Sequence, residues 1–197
     1  MFLLTQPTKK QVREFLDAQA SSGFSYAEVG ASRHGSPIGY NSDHNRIQLG
    51  TGADAFALAV QAIQRWQMFN TGWVKLYFSD APIAVGACVA PLASHLGFYS
   101  LNACRIVYVI DENDNDVNVK KYGFAYGTLT EHVEQGEERF SVEWHHADNS
   151  VWYDLFAFSK PRHPFARLAY PVSRQLQKRF AADSQQAMLR AVKFEEL

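Results

Sequence analysis

The residues with the most chemistry to offer lie between Tyr122 and His145, in the stretch YGFAYGTLTEHVEQGEERFSVEWH. His132 stands among Glu131, Glu134, Glu137 and Glu138, all close to Gly136. Neighbouring carboxylates raise a histidine's basicity, so His132 with Glu137 or Glu138 is a candidate general acid or base. Imidazole and carboxylate also suit a metal, but the spacing matches no metal-ligand template, and no stoichiometric zinc or iron is expected. The plainer alternative is a polar hairpin loop in which Glu137 or Glu138 turns back to accept hydrogen bonds from the sheet or from an arginine. On that view His132→Ala leaves stability within about 0.5 kcal/mol of the parent. His145-His146-x-Asp148 suggests a metal at first sight, yet adjacent side chains point to opposite faces, which favours turn chemistry.

A second kind of chemistry is apolar. Tyr122, Phe124 and Tyr126 alternate with Gly123, Ala125 and Gly127, giving a strand with one bulky and one bare face. Glycines opposite an aromatic face often mark the close approach of another backbone, helix or ligand. The Tyr122 and Tyr126 hydroxyls could orient a ligand, because buried phenols need a partner. With Phe124, Trp144 and Trp152 they are expected to line a cavity of more than roughly 300 Å³, the low end for ligand sites. Asp154 is a lone acid in an apolar strand and needs a partner such as Arg105. Arg46 and Arg105 are the candidate counter-charges, and Arg105 joins Tyr122, Tyr126 and Trp144 as a candidate ligand-binding residue.

The elements that position these groups follow from periodicity. Val12, Phe15, Leu16 and Gln19 mark a short amphipathic helix capped by Thr5 or Thr8 and ended by Gly23. Tyr26 to Gly30 reads as a brief strand, Ser32 to His44 as a long loop, and Arg46 to Gly50 as a strand. A helix runs from Ala53 to about Met68 on Phe56, Ala59, Val60 and Ile63. Strands follow over Trp73–Phe78, Ile83–Ala90 and Phe98–Ile110, separated by turns at Asp80-Ala81-Pro82 and Pro91 to His95. Asp111 to Asn118 is a polar loop. Strands 122–129 and 139–145 should run antiparallel across a connection in which Gly136 takes φ > 0. Val151 to Ser159 is the last strand. Beyond it the apolar period becomes helical, with a short helix from Pro164, a break near Tyr170-Pro171, and a long helix from Val172 to about Val192.

Composition bounds the class. A chain of 197 residues with 47% hydrophobic and 20% charged residues suits one globular domain. Residues 1–22 form an N-terminal helical appendage, and 23–197 the domain proper. Net charge is −1, although residues 160–197 hold eight Lys/Arg against three Asp/Glu. Those charges punctuate an apolar helical pattern and form no dense basic block, so a nucleic-acid partner is not expected. Two cysteines, Cys88 and Cys104, are too few for a disulfide scaffold; whether they pair is open, and a reducing cytoplasm is the default. No segment reads as a signal peptide or a spanning helix. No GxSxG, Walker, Rossmann or CxxC pattern is present.

Taken together the motifs resemble the uncharacterised DUF1990 family, also called UPF0548. The resemblance rests on Tyr26-x-x-Val29-Gly30, Leu49-Gly50-x-Gly52-x-x-x-Phe56-x-x-Ala59, Arg105-Ile106-Val107-Tyr108 and Ser159-Lys160-Pro161. The most specific piece is Tyr126-Gly127-Thr128-Leu129-x-x-His132-x-x-x-Gly136-Glu137-Glu138-x-Phe140. It departs at Thr130-Glu131, where the family often has Pro-Gly, and this bears on the shape of that loop. The family implies no reaction. Its order of elements is similar to the helix-grip, START-like architecture, whose members often enclose an apolar cavity.

A run of strands flanked by helices, without βα alternation, predicts an α+β single domain: a curved antiparallel sheet wrapped around a long C-terminal helix. The leading function is a binding module for a small, partly apolar molecule in an aromatic-lined cavity, with no cofactor. The alternative is an enzyme using that cavity with His132 or a glutamate as general acid or base. A third is a pocketless interaction or envelope-associated protein. The oligomeric state stays open.

Overall fold

Thr8 begins the first helix with a capping box. Its side chain accepts from the Gln11 N–H at 3.3 Å, and Gln11 Oε1 accepts the Thr8 N–H at 2.9 Å. The helix that follows, α1 (Lys9–Gln19), buries Val12, Leu16 and Gln19. It ends at Gln19, well before Gly23. The computed structural model of the chain describes residues 1–78, 81–95, 97–112, 118–132, 134–162 and 170–193. No helix among them is long and apolar enough to cross a membrane.

Among the described residues, nine strands form one antiparallel sheet. They are β1 (Phe2–Leu3), β2 (Asn41–Thr51), β3 (Val74–Tyr77), β4 (Cys88–His95), β5 (Phe98–Leu101), β6 (Cys104–Glu112), β7 (Val119–Thr128), β8 (Glu134–His145) and β9 (Ser150–Pro161). Their order is β1-β5-β4-β6-β7-β8-β9-β2, with β3 paired to β4. Two further helices, α2 (Gly52–Gln64) and α3 (Tyr170–Val192), pack on the inner face of this curled sheet. This is the α+β helix-grip architecture that the sequence implies.

The main core lies between that inner face and α2 and α3. Phe124 stacks on Phe140 at 5.3 Å, and Phe69 reaches Phe140 at 5.6 Å and Phe180 at 5.5 Å. A smaller core lies on the outer face, where α1 covers Ala90, Leu92, Leu101 and Leu129 with Val12 and Leu16. Several strands read as apolar on both sides because both faces are covered. Residues 1–22 take part in this, since β1 extends the sheet beside β5.

The expected loop ending at His44 gives way to β2 from Asn41, the strand expected from Ile83 begins only at Cys88, and the strand expected over Phe98–Ile110 is divided into β5 and β6. Four further expectations change. Tyr26–Gly30 is no strand: Phe24 makes a single bridge to Leu129, and Gly30, at φ 89°, turns the chain into a 3-10 turn at Ala31–Arg33. Pro91–His95 is no turn. It belongs to β4, and Pro91 sits where β4 changes partner from β6 to β5, a place where a missing N–H breaks no continuous ladder. α2 stops at Gln64, after which Trp66 takes a left-handed conformation (φ 56°) into a second 3-10 turn at Gln67–Phe69. Pro171 does not break a helix. It lies in the first turn of α3, which needs no N–H there. Most of the expected 111–118 loop (113–117) and most of the expected short helix from Pro164 (163–169) lie outside the described residues.

β7 and β8 pair antiparallel as expected, but β8 begins at Glu134, so Gly136, Glu137 and Glu138 are strand residues and not a loop. The segment from Phe24 then runs across the outer face, and Gly127 shows how closely. A Cβ there would collide with the Tyr26 phenol. Gly136 has φ +159°, near extended, and its decisive constraint is also space, because a Cβ would run into the Phe158 carbonyl of β9. Gly127→Ala and Gly136→Ala should each cost about 1–3 kcal/mol in urea unfolding, the usual range for forcing extra volume into a packed site. Midpoints equal to the parent's would show that Tyr26 and β9 have room to move.

Candidate functional site

Consecutive residues of a strand point to opposite faces, so β8 sends Glu137 outward and Glu138 inward. The two carboxylates meet different surroundings.

On the outer face Glu137 is 3% exposed. It accepts from the Tyr26 hydroxyl at 2.7 Å, from the Gly30 N–H at 2.7 Å, from the Ser32 N–H at 3.1 Å and from the Ser32 hydroxyl. Ser32 Oγ also bonds the Tyr108 hydroxyl at 2.6 Å. Arg139, two residues along, donates to the Ser32 carbonyl at 2.8 Å and to Asp154 at 2.9 Å. Asp154 also meets Arg46 at 3.1 Å and His44 at 2.6 Å. Its partners are therefore Arg139, Arg46 and His44, and not Arg105, which donates to the carbonyls of Gln19 and Ala20 at the end of α1. Glu137 is thus a hydrogen-bond acceptor, but from within a strand and for the 24–32 segment, which it clamps, and not for the sheet or an arginine as expected.

On the inner face Glu138 lines a cavity of about 270 Å³. The cavity is smaller than the roughly 300 Å³ expected of a ligand site, so that expectation of size is not met here. The cavity exists because its floor is bare: Ala157 lies beside Glu138 in the register, and Ser159 beside Gly136. Leu176, Gln177 and Phe180 of α3 form the roof, with Phe69 and Tyr126 as aromatic walls. The Tyr126 hydroxyl donates to Glu138 at 2.6 Å, and burial keeps that phenol protonated far above its ordinary range. Burial also pushes the Glu138 carboxyl up to about 7, although part of its surface remains accessible, because that surface faces the cavity.

Glu134 and Asp43 complete the inner acids. Glu134 is raised chiefly by burial and is bonded by Gln177. Asp43 takes a bidentate pair from Arg174, whose second contact is 2.6 Å. His132 lines the same cavity. It is half-buried by surface, yet the packing around its ring pushes its pKa down to about 4, and Nδ1 accepts the Glu134 N–H at 3.0 Å. It is therefore neutral at pH 7 with one nitrogen already engaged, a packed ring and not the exposed one expected.

Of the expected ligand-binding residues, Tyr126 reaches the cavity. Tyr122 and Trp144 pack against the main core, Trp144 donating to Asn149 at 2.9 Å, and Arg105 is on the outer face. Phe124 is fully buried, while Trp152 lies on the outer face under Arg46. Sequence reasoning named Glu134 only as a member of the cluster around His132, and it missed Asp43 and Gln177 as cavity residues. The period of two running back from Phe140 through Glu138 and Gly136 points to Glu134. Among the described residues no group of three or more His, Cys, Asp or Glu is placed to hold a metal. A larger groove of about 500 Å³ beside Gln6, Gln67, Asn70 and Lys75 is more polar and more open.

Two stability experiments separate the faces. Glu137→Gln should cost about 2–3 kcal/mol, because an amide places N–H donors against donors, and should expose the 24–40 segment to limited proteolysis. A change within about 0.5 kcal/mol, the usual range for an exposed site, would mean that the clamp holds nothing. For Glu138 the folded state keeps its proton up to about 7 against an ordinary 4.5. Between those values the folded protein binds more protons than the unfolded chain, so stability falls as pH rises through the window. Glu138→Gln should remove up to about 3 kcal/mol of this loss: equal to the parent near pH 4, more stable at pH 8. Parallel pH profiles would show that Glu138 ionises as in water.

Comparison with known proteins agrees with this architecture. Residues 25–187 match the family described as a domain of unknown function, DUF1990. A UPF0548 protein of Dictyostelium discoideum is 35% identical over 208 aligned positions, 98% of this chain and 96% of that one. One of Deinococcus radiodurans is 36% identical, covering 97% and 98%. Among solved structures, a Thermus thermophilus protein at 12% identity has a TM-score of 0.51, covering 77% of this chain and 97% of that one, a likeness of fold alone.

Proposed function

The chain belongs to the DUF1990 (UPF0548) family, and from that premise we propose that it is a binding module for a small, partly apolar molecule held in the inner cavity. The observation that carries this reading is the cavity itself, with a bare floor, aromatic walls and the Glu138–Tyr126 pair as its polar anchor. Ligand sites are mostly apolar with few convergent polar groups, and this cavity has that balance. It weighs against the pocketless alternative. Cys88 and Cys104 are free thiols, which suits a reducing compartment such as the cytoplasm.

The enzyme reading has one observation in its favour. A carboxyl pushed up to about 7 beside a phenol can give or take a proton near neutral pH. Glu138 is the acid–base candidate in that case. His132, with its pKa near 4, is a poor base, and Glu137 is engaged by four donors on the other face.

Trp73 lines the cavity, so it reports occupancy. An environment-sensitive dye should quench tryptophan emission saturably, and Ala157→Phe, which fills the floor, should abolish the effect. Absence of saturable quenching, or quenching unchanged in Ala157→Phe, would sink the binding reading.

A further inference from the structure

We infer that the inner cavity takes an organic cation, a small ammonium compound with an apolar body, and that Glu138 is its counter-ion. This rests on the binding-module reading and names the ligand class for that same cavity.

The charges around the cavity point one way. Its lining includes Asp43, Glu134, Glu137 and Glu138, of which Glu137 turns its carboxylate to the donors of the outer face, and no Lys or Arg among the described residues. Arg174 approaches from α3, but Asp43 takes it in a bidentate pair, leaving that pair neutral. Glu134 has uncharged hydrogen-bond partners, Gln177, Ser159 and Ser173, and feels the Arg174 charge only as a lesser influence. Glu138 has the Tyr126 hydroxyl and, among the described residues, no cation. A buried carboxylate without a cation is costly, and an ammonium group supplies what the protein leaves out.

The hydrogen-bond inventory gives an independent indication. Asn102 lines the cavity, and its Nδ2 donates to Ser100 Oγ at 3.1 Å and to the Ser100 carbonyl at 3.5 Å; the carbonyl can only accept, which orients the amide. Its Oδ1 is buried without a partner, as is His95 Nδ1, also in the lining. A buried acceptor left unpaired costs free energy. Asn102 Oδ1 can only accept, so a donor on the ligand satisfies it and an anion does not. The walls agree as well: Phe69, Phe180, Tyr126 and Trp73 present ring surfaces, and aromatic faces attract cations.

The test uses three probes of nearly equal shape, benzylammonium, benzyl alcohol and benzoate, titrated calorimetrically into the full chain at pH 7.5. Benzylammonium should bind at least about tenfold tighter than benzyl alcohol, the worth of one charge-assisted hydrogen bond, and benzoate weakest. In Glu138→Gln the preference should vanish while the alcohol still binds, circular dichroism confirming the fold. Equal binding of all three, preference for benzoate, or a preference that survives Glu138→Gln would overturn the inference and leave the binding module standing. Binding of the dye with none of the three probes overturns the inference alone, and binding of neither the dye nor any probe overturns both.

Discussion

The carboxylate of Glu137, buried behind the sheet, ties the first third of the chain to the rest. It accepts from a hydroxyl of Tyr26, an N–H of Gly30, and both the N–H and hydroxyl of Ser32. Taking such a charge out of water is unfavourable unless hydrogen bonds replace the lost solvation, and here four donors do so. The requirement then propagates. Tyr26 must lie across β7, so position 127 must lack a side chain. Arg139 must hold the carbonyl of Ser32, and its other arm then meets Asp154, which gathers Arg46 and His44. One acceptor fixes the path of the 24–32 loop and, through Arg139, the polar network of the outer face.

The next residue along experiences the opposite environment. Glu138 faces the interior because strand geometry alternates, and there it finds a phenol and no cation among the described residues. The outer acids show what pairing looks like in this protein: Asp154 has two arginines, and Glu143 has Arg46 at 2.8 Å and Lys121 at 3.2 Å. The inner acids are not treated alike. Asp43 is neutralised by Arg174, while Glu138 keeps its proton to about 7. Two adjacent glutamates thus divide the labour, one holding the fold and one facing the space inside it.

Much of this was legible in the sequence, and the misses have physical causes. The antiparallel pairing of β7 with β8 followed from aromatic alternation and a short connection. The glycines opposite that aromatic face did mark a close approach, by Tyr26. The start of β8 was misplaced because Glu134, Gln135, Glu137 and Glu138 look like loop residues. They are strand residues because Thr128 Oγ and β9 satisfy the backbone around Gly136. Asp154 was expected to find Arg105, but partner choice depends on strand order, and β8 and β2, not β6, flank β9. The cavity lining was misjudged because a bulky strand face can fill a core as well as border a void. Tyr122 and Phe124 fill; Tyr126 borders, since Ala157 and Gly136 lie nearby.

That void is the feature least explained by folding alone. Atoms that border a gap lose dispersion contacts, and a carboxyl withdrawn from water loses solvation. A larger side chain at Ala157 and an apolar one at Glu138 would recover both, as Phe140 and Leu155 do one step along the same strands. The cost is confined to one place, between the aromatic layer and α3, while the outer face is packed and paired. Local departures from good packing and polar satisfaction are where functional sites are expected. A bare floor beside an acid that no cation meets among the described residues is such a departure, and it falls on one face of one pair of strands.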